Sequence, residues 1–152
     1  MTVAERLLVG DEWRTAAGGA EFETWDPATG RLLASCAEAS QADIDVAVDA
    51  ARTALVSAES AGMLPAQRAR LLGRVAELIE RDADALAELE TRDQGQLLSI
   101  ARGANVAAAA EHFRYFAGWV TKIEGTVTPI SFPNTRRESV GVCALITRGT
   151  SR

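Results

Sequence analysis

Along the first third of the chain, apolar and polar positions change places every second residue. Glu21-Phe22-Glu23-Thr24-Trp25 alternates, Asp26-Pro27-Ala28-Thr29-Gly30 supplies turn chemistry, and Arg31-Leu32-Leu33-Ala34-Ser35 resumes the strand pattern. Together with the short apolar stretch Leu7-Leu8-Val9, this predicts antiparallel strands between residues 7 and 35, with Trp13 and Trp25 covering core surface. The period then lengthens. Ser40, with Asp43 three residues on, is a helix N-cap, and Ile44, Ala47, Val48, Ala51 and Leu55 form one face of a helix that Gly62 breaks. Pro65 opens a second helix, striped with Leu71, Leu72, Val75, Leu78 and Ile79. A third places Leu86 and Leu89 inward and ends near Gly95. The fourth and longest spans residues 97 to 122, with a buried line of Val106, Ala109, Ala110, Phe113, Phe116, Ala117 and Val120.

After Gly125 two extended arms, 126–130 and 135–139, flank Phe132-Pro133-Asn134, and the prolines there suit edge positions. Residues 140–147 (VGVCALIT) then form an almost unbroken apolar run. Such a run reads as a strand covered on both faces, as in a parallel α/β sheet. A strand of this kind needs neighbours and crossover helices that the 152 residues do not supply, so the pattern predicts the opening of a larger α/β protein.

Composition narrows the partners. The net charge is −5 and the basic residues are scattered. The densest group (Arg68, Arg70, Arg74, Arg81) is interleaved with Glu77, Glu80 and Asp82 at helical spacing. This is a solvated helix face rather than a nucleic-acid surface. No apolar run reaches the roughly 20 residues of a membrane span, and the first apolar stretch is too short for a signal peptide, so the expectation is a cytoplasmic protein.

Little in the residues themselves carries chemistry. Cys36 and Cys143 make no metal or redox spacing, and Cys143 reads as a small apolar strand residue. His112, the single histidine, flanks the apolar line of the long helix with no nucleophile near it in sequence. Glu88, Glu90 and Asp93 could pair as acid and base, although solvated helix carboxylates explain them more simply. Gly18-Gly19 lacks the following helix that a dinucleotide fingerprint requires.

Five segments, taken in order, carry a resemblance. They are Val9-Gly10-Asp11-Glu12-Trp13, Asp26-Pro27-Ala28-Thr29-Gly30, residues 88–95 (ELETRDQG), residues 115–125 (YFAGWVTKIEG) and residues 136–142 (RRESVGV). Over residues 7–147 the chain resembles the N-terminal portion of the aldehyde dehydrogenase superfamily. The resemblance implies an α/β fold in which residues 1–124 begin a Rossmann-type NAD(P)-binding domain. Residues 125–139 would belong to an oligomerisation ribbon, 140–147 would be the first central strand of the cofactor-binding sheet, and 148–152 would stand outside the family pattern. It also implies NAD or NADP as cofactor, a small-molecule aldehyde as substrate and a homo-oligomer. In the family a cysteine thiolate attacks the carbonyl, hydride passes to the nicotinamide, and water hydrolyses the thioester. Of these site positions only Ile146 and Thr147, which approach the cofactor, match here. Thr24 and Asp93 match positions near a structural cation in some members. Neither Cys36 nor Cys143 matches the nucleophile, and the general base and the oxyanion asparagine have no counterpart. The implied function is therefore an aldehyde dehydrogenase-like oxidoreductase, present as a truncated, inactive N-terminal fragment. The alternative is a non-catalytic protein that pairs with an intact relative through residues 126–139.

In the family the strand end reads Thr-Pro-Trp-Asn-Phe-Pro, where this chain has Thr147-Arg148-Gly149-Thr150-Ser151-Arg152. One coding of the family sequence is ACG CCG TGG AAC TTC CCG. Loss of one C from the proline codon gives ACG CGT GGA ACT TCC CG, which reads Thr-Arg-Gly-Thr-Ser-Arg. One lysine against fifteen arginines suggests a GC-rich genome, in keeping with those codons. The expectation is a frameshifted reading frame, and downstream DNA that encodes no family continuation in the displaced frame would refute it.

Overall fold

A computed structural model of the chain describes residues 4–126 and 135–146. The strands expected between residues 7 and 35 are present as β2 (Leu7–Val9), β3 (Glu12–Arg14), β4 (Glu21–Asp26) and β5 (Arg31–Ala37), and an unexpected short strand, β1 (Ala4–Glu5), precedes them. β2 and β3 form an antiparallel pair with Leu8 opposite Trp13. β4 and β5 are also antiparallel, with Phe22 opposite Cys36 and Thr24 opposite Ala34, as the alternation over residues 21–35 requires. The turn between them is built by Asp26, whose carboxylate accepts the N–H groups of Ala28 (2.9 Å) and Thr29 (3.2 Å). β1 joins the other edge of β5 in parallel, giving the order β1-β5-β4. The tryptophans depart from expectation: Trp13 is 61% and Trp25 48% exposed.

α1 (Gln41–Val56) starts where the sequence places it. The Ser40 hydroxyl accepts the Asp43 N–H, and the Asp43 carboxylate accepts the Ser40 N–H at 2.9 Å, a reciprocal capping box. The helix stops earlier than Gly62. Ser57 turns out to an extended conformation and caps the short α2 (Ala58–Ala61), so a serine rather than the glycine makes the first break. Pro65 is the first residue of α3 (Pro65–Arg81), where a missing N–H costs nothing. α4 (Ala83–Gln94) ends on Gly95 at φ 74°, in the left-handed region. A Cβ there would lie 2.9 Å from Pro27 Cγ in the β4–β5 turn. Gly95→Ala is thus expected to destabilise by at least about 1 kcal/mol from backbone handedness alone, with the proline contact adding to it. A urea midpoint unchanged from the parent would refute this.

The single helix expected over residues 97 to 122 is three pieces in series: α5 (Leu98–Ile100), a π-helical segment (Ala101–Val106) and α6 (Ala107–Trp119). Ala101, Val106 and Ala110 face the core, whereas Phe113 is 37% and Phe116 57% exposed. The most extensive packing is α3 against α6, followed among the helices by α4 against the π segment. Both contacts are made by small residues: Ala76, Ala87, Ala101 and Ala110 have at most 1% of their surface exposed. Ile44, Leu86 and Leu89, expected inward, are all more than a third exposed; on α4 the adjacent Ala87 is the fully buried position.

The C-terminal expectations fare differently. Thr135 donates its N–H to the Thr126 carbonyl at 2.9 Å, so the two arms meet at their base, while the rest of the first arm and the bend (residues 127–134) lie outside the described residues. Residues 140–147 were expected as a buried central strand. Over 140–146 no strand forms, and Val140, Leu145 and Ile146 are 92, 89 and 98% exposed. The physical reason is that no described strand lies alongside to take up its backbone N–H and C=O groups.

Candidate functional site

The expected site residues fall on the C-terminal segment and on the β4 and α4 elements. Ile146 is exposed at the end of the 140–146 segment, and Thr147 lies outside the described residues. Thr24 sits half-buried on β4, and Asp93 half-buried in the last turn of α4, two elements that pack against each other. No hydrogen bond links the two side chains among those described. No group of three or more His, Cys, Asp or Glu is placed to hold a metal ion among the described residues.

The nucleophile and base candidates have no common geometry either. Cys143 Sγ lies on the exposed C-terminal segment, 3.8 Å from its own chain's Gly141 carbonyl. Cys36 is half-buried in β5. His112 is exposed on α6, with Nδ1 2.6 Å from the Ala108 carbonyl one turn back. Glu90 accepts from the Asn105 amide at 3.1 Å, and the same amide reaches Gln96 Oε1 at 2.6 Å, so Glu90 serves to tie α4 to the π segment. Glu88 is exposed.

The electrostatics that do stand out belong to the scaffold. Asp43 is the one buried charged residue among those described. The Ser40 hydroxyl (2.6 Å) and N–H, then the Ala17 N–H and the nearby Arg14 charge, hold its carboxyl below the ordinary range against the opposing effect of burial. Arg114 on α6 pairs with Glu80 on α3 and with Glu111 at 3.0 Å. Its guanidinium bonds to Glu80 push that carboxyl down and the arginine up. Glu80 and Glu111 also line an open groove of about 550 Å³ beside Arg102, Gly103 and Val106. A second open groove, about 410 Å³ and mostly apolar, lies between α1, α2 and the 141–143 backbone and is lined by Ala51, Ala54, Leu55, Met63 and Val142. The lining of the apolar groove also includes Ser57, Glu59, Ser60 and Cys143.

A sequence profile of the aldehyde dehydrogenase family matches residues 13–148. The chain belongs to the aldehyde dehydrogenase family. DhaS of Bacillus subtilis, described as an aldehyde dehydrogenase, is 42% identical over 145 residues, which are 93% of this chain and 29% of that protein. The NAD+ complex of an aldehyde dehydrogenase from Bacillus cereus superposes with a TM-score of 0.82 at 43% identity, covering 85% of this chain and 26% of that one. An NAD-dependent aldehyde dehydrogenase from Sinorhizobium meliloti superposes at 0.79 with 30% identity, over 86% and 26%. The chain thus spans less than a third of the length of these relatives and matches the N-terminal portion of the family fold.

Among the described residues no dinucleotide site is formed. A dinucleotide needs a strand end opening into a helix whose N–H groups cradle the pyrophosphate. Here the segment assigned to that strand is unpaired and Ile146 is solvated, so the described residues of this family member do not fit NAD(P) by themselves. The Asp43 anchor and the Asn105 bridge were not legible beforehand. The Ser40–Asp43 spacing showed the cap, but nothing in sequence joined Asp43 to Ala17, 26 residues away.

Proposed function

We propose that this chain is the N-terminal layer of an oxidoreductase that converts an aldehyde and water to a carboxylate, with NAD+ or NADP+ taking the hydride, and that the 152 residues alone turn nothing over. The family match over residues 13–148 carries the first half of the reading. The second half rests on the site residues: neither Cys36 nor Cys143 matches the family's nucleophile, and Ile146, expected against the cofactor, is solvated. On the same reading Ile146 and Thr147 approach the cofactor only once residues 140–147 are paired within a sheet, and Thr24 and Asp93 contribute to a structural cation site.

The purified chain, incubated with NAD+ or NADP+ and a panel of short, branched and aromatic aldehydes, is expected to give no rise in reduced-nicotinamide absorbance above a no-protein control. Turnover that survives further purification would refute the proposed inactivity. The family's homo-oligomeric contact through residues 125–139 is carried into the reading because Thr126 and Thr135 already fasten the base of those arms. Besides the backbone bond, the Thr126 N–H donates to Thr135 Oγ1 at 2.7 Å.

A further inference from the structure

Three aromatic side chains stand together near the C-terminal end of α6. Tyr115, Phe116 and Trp119 are 59, 57 and 46% exposed. Trp119 follows the other two by four and three residues, the spacings at which helix side chains are neighbours. The Tyr115 and Phe116 rings meet edge to face, with centroids 5.3 Å apart and planes at 85°. Tyr115 and Trp119 lie at 6.1 Å and 53°. Neither pair stacks in parallel, so ring faces set at steep angles border one corner that is open to solvent. The charged groups around it are close to balance. Glu111, Arg114, Lys122 and Glu124 on α6 and its flank, with Glu80 on α3, sum to −1, and Arg114 is already held between Glu80 and Glu111. The whole chain stands at −5.

We propose that the Tyr115–Phe116–Trp119 corner binds the trimethylammonium head of a small molecule. The complementarity is electrostatic. An aromatic face is negative, and a cation held within about 6 Å of the ring centroid is attracted to it. A quaternary ammonium spreads its charge over methyl groups, so it can leave water at low cost and rest on several rings at once. A primary ammonium is a compact, strongly hydrated charge, and rings replace its water poorly. An anion meets both the negative faces and the negative local sum. A neutral apolar group would gain burial alone and make no use of the ring faces. At an exposed site each face contributes about two- to fivefold in affinity. Three faces together give a dissociation constant on the order of 10 mM. The inference concerns side chains of this chain alone and does not depend on its being the layer of an enzyme.

The test is a titration of the isotope-labelled full chain with choline at constant ionic strength, read by NMR on the indole N–H signals. Trp119 is expected to shift along a saturating curve, while Trp13 and Trp25, also exposed but on β3 and β4, stay in place. The neutral carbon isostere of choline, with a tert-butyl group in place of the trimethylammonium, should bind at least about threefold more weakly. Read on Trp119, Tyr115→Leu and Phe116→Leu should each weaken choline binding about two- to fivefold, whereas Tyr115→Phe, which keeps the ring, should leave it within about twofold. Circular dichroism checks the fold of each variant, and the comparison of choline with its isostere on the parent chain needs no variant at all. Any of four results overturns the proposal: no shift at Trp119, equal shifts at Trp13 and Trp25, equal binding of the neutral isostere, or unchanged choline binding in both leucine variants. A trimethyllysine peptide that binds at least about tenfold more tightly than choline also overturns it, since the head would then belong to a protein partner rather than to a small molecule.

Discussion

Ala101→Leu is expected to be among the most damaging single substitutions in the helical layer. Ala101 opens the π segment, is fully buried, and clusters with Ala87 and Val106, with Ile79 and Ala83 packed against the group. At such a contact the helices approach as closely as two methyl groups allow, and three added carbons have no void to enter. Overpacking of this kind costs about 1–3 kcal/mol, against a total stability of about 5–15 kcal/mol for an ordinary domain. The margin here is narrower. Among the described residues no large side chain is fully buried, while Leu64, Leu97, Tyr115, Phe116 and Ile123 are all more than half exposed. The midpoint of thermal unfolding by circular dichroism should fall by several degrees, at about 2–4 °C per kcal/mol for a chain of this size. The surface control Ala108→Leu, at an exposed position on α6, should move it little. Equal midpoints for parent and Ala101→Leu would show that the α4 contact with the π segment contributes nothing to the fold.

The same small-residue contacts show what the sequence could and could not convey. Local rules were readable: the period-two stretch 21–35 is a hairpin, Ser40 and Asp43 cap α1, Pro65 opens α3 and Gly95 closes α4. These features depend on residues a few positions apart, so local chemistry determines them. Burial was less legible, because it depends on what lies opposite. The stripes of leucine and phenylalanine marked helix faces, but the deepest positions went to alanines, and a π turn within residues 101–106 interrupts what reads as one helix. No propensity distinguishes Ala101 or Ala87 from the other alanines of these helices. The 140–146 run was the plainest strand signal in the chain and yet forms no strand, since strand formation is a property of a pair. As for the site, Ile146, Thr24 and Asp93 were reached only through the family pattern.

That reliance on contacts across the chain is concentrated in Asp43. Its carboxylate accepts the Ala17 N–H through both oxygens (3.0 and 3.1 Å), the Ser40 N–H at 2.9 Å and the Ser40 hydroxyl at 2.6 Å. One side chain therefore caps α1 and fastens the loop after β3 to the start of the helical layer, where Ala16 is buried. The Ser40 bonds are the leading cause of its lowered pKa, followed by the Ala17 N–H and the Arg14 charge, with burial opposing them. The folded carboxyl thus titrates below its ordinary value of 3.8. The stability it contributes is fully present above that unfolded-state value and is lost as pH falls through the lower folded-state value. Asp43→Asn should lower the unfolding midpoint at neutral pH, because an amide NH2 cannot accept the bonds that the second oxygen takes. It should also flatten the acid limb, so that the gap between parent and variant closes as the pH drops below about 4, near the unfolded-state pKa of an aspartate. Ser40→Ala should reproduce part of the neutral-pH loss, about 1 kcal/mol for an N-cap, while leaving the Ala17 bonds in place. Parallel pH profiles for parent and Asp43→Asn, with a constant gap down to the acid limb, would show that the carboxylate charge has no part in holding the loop to the helix.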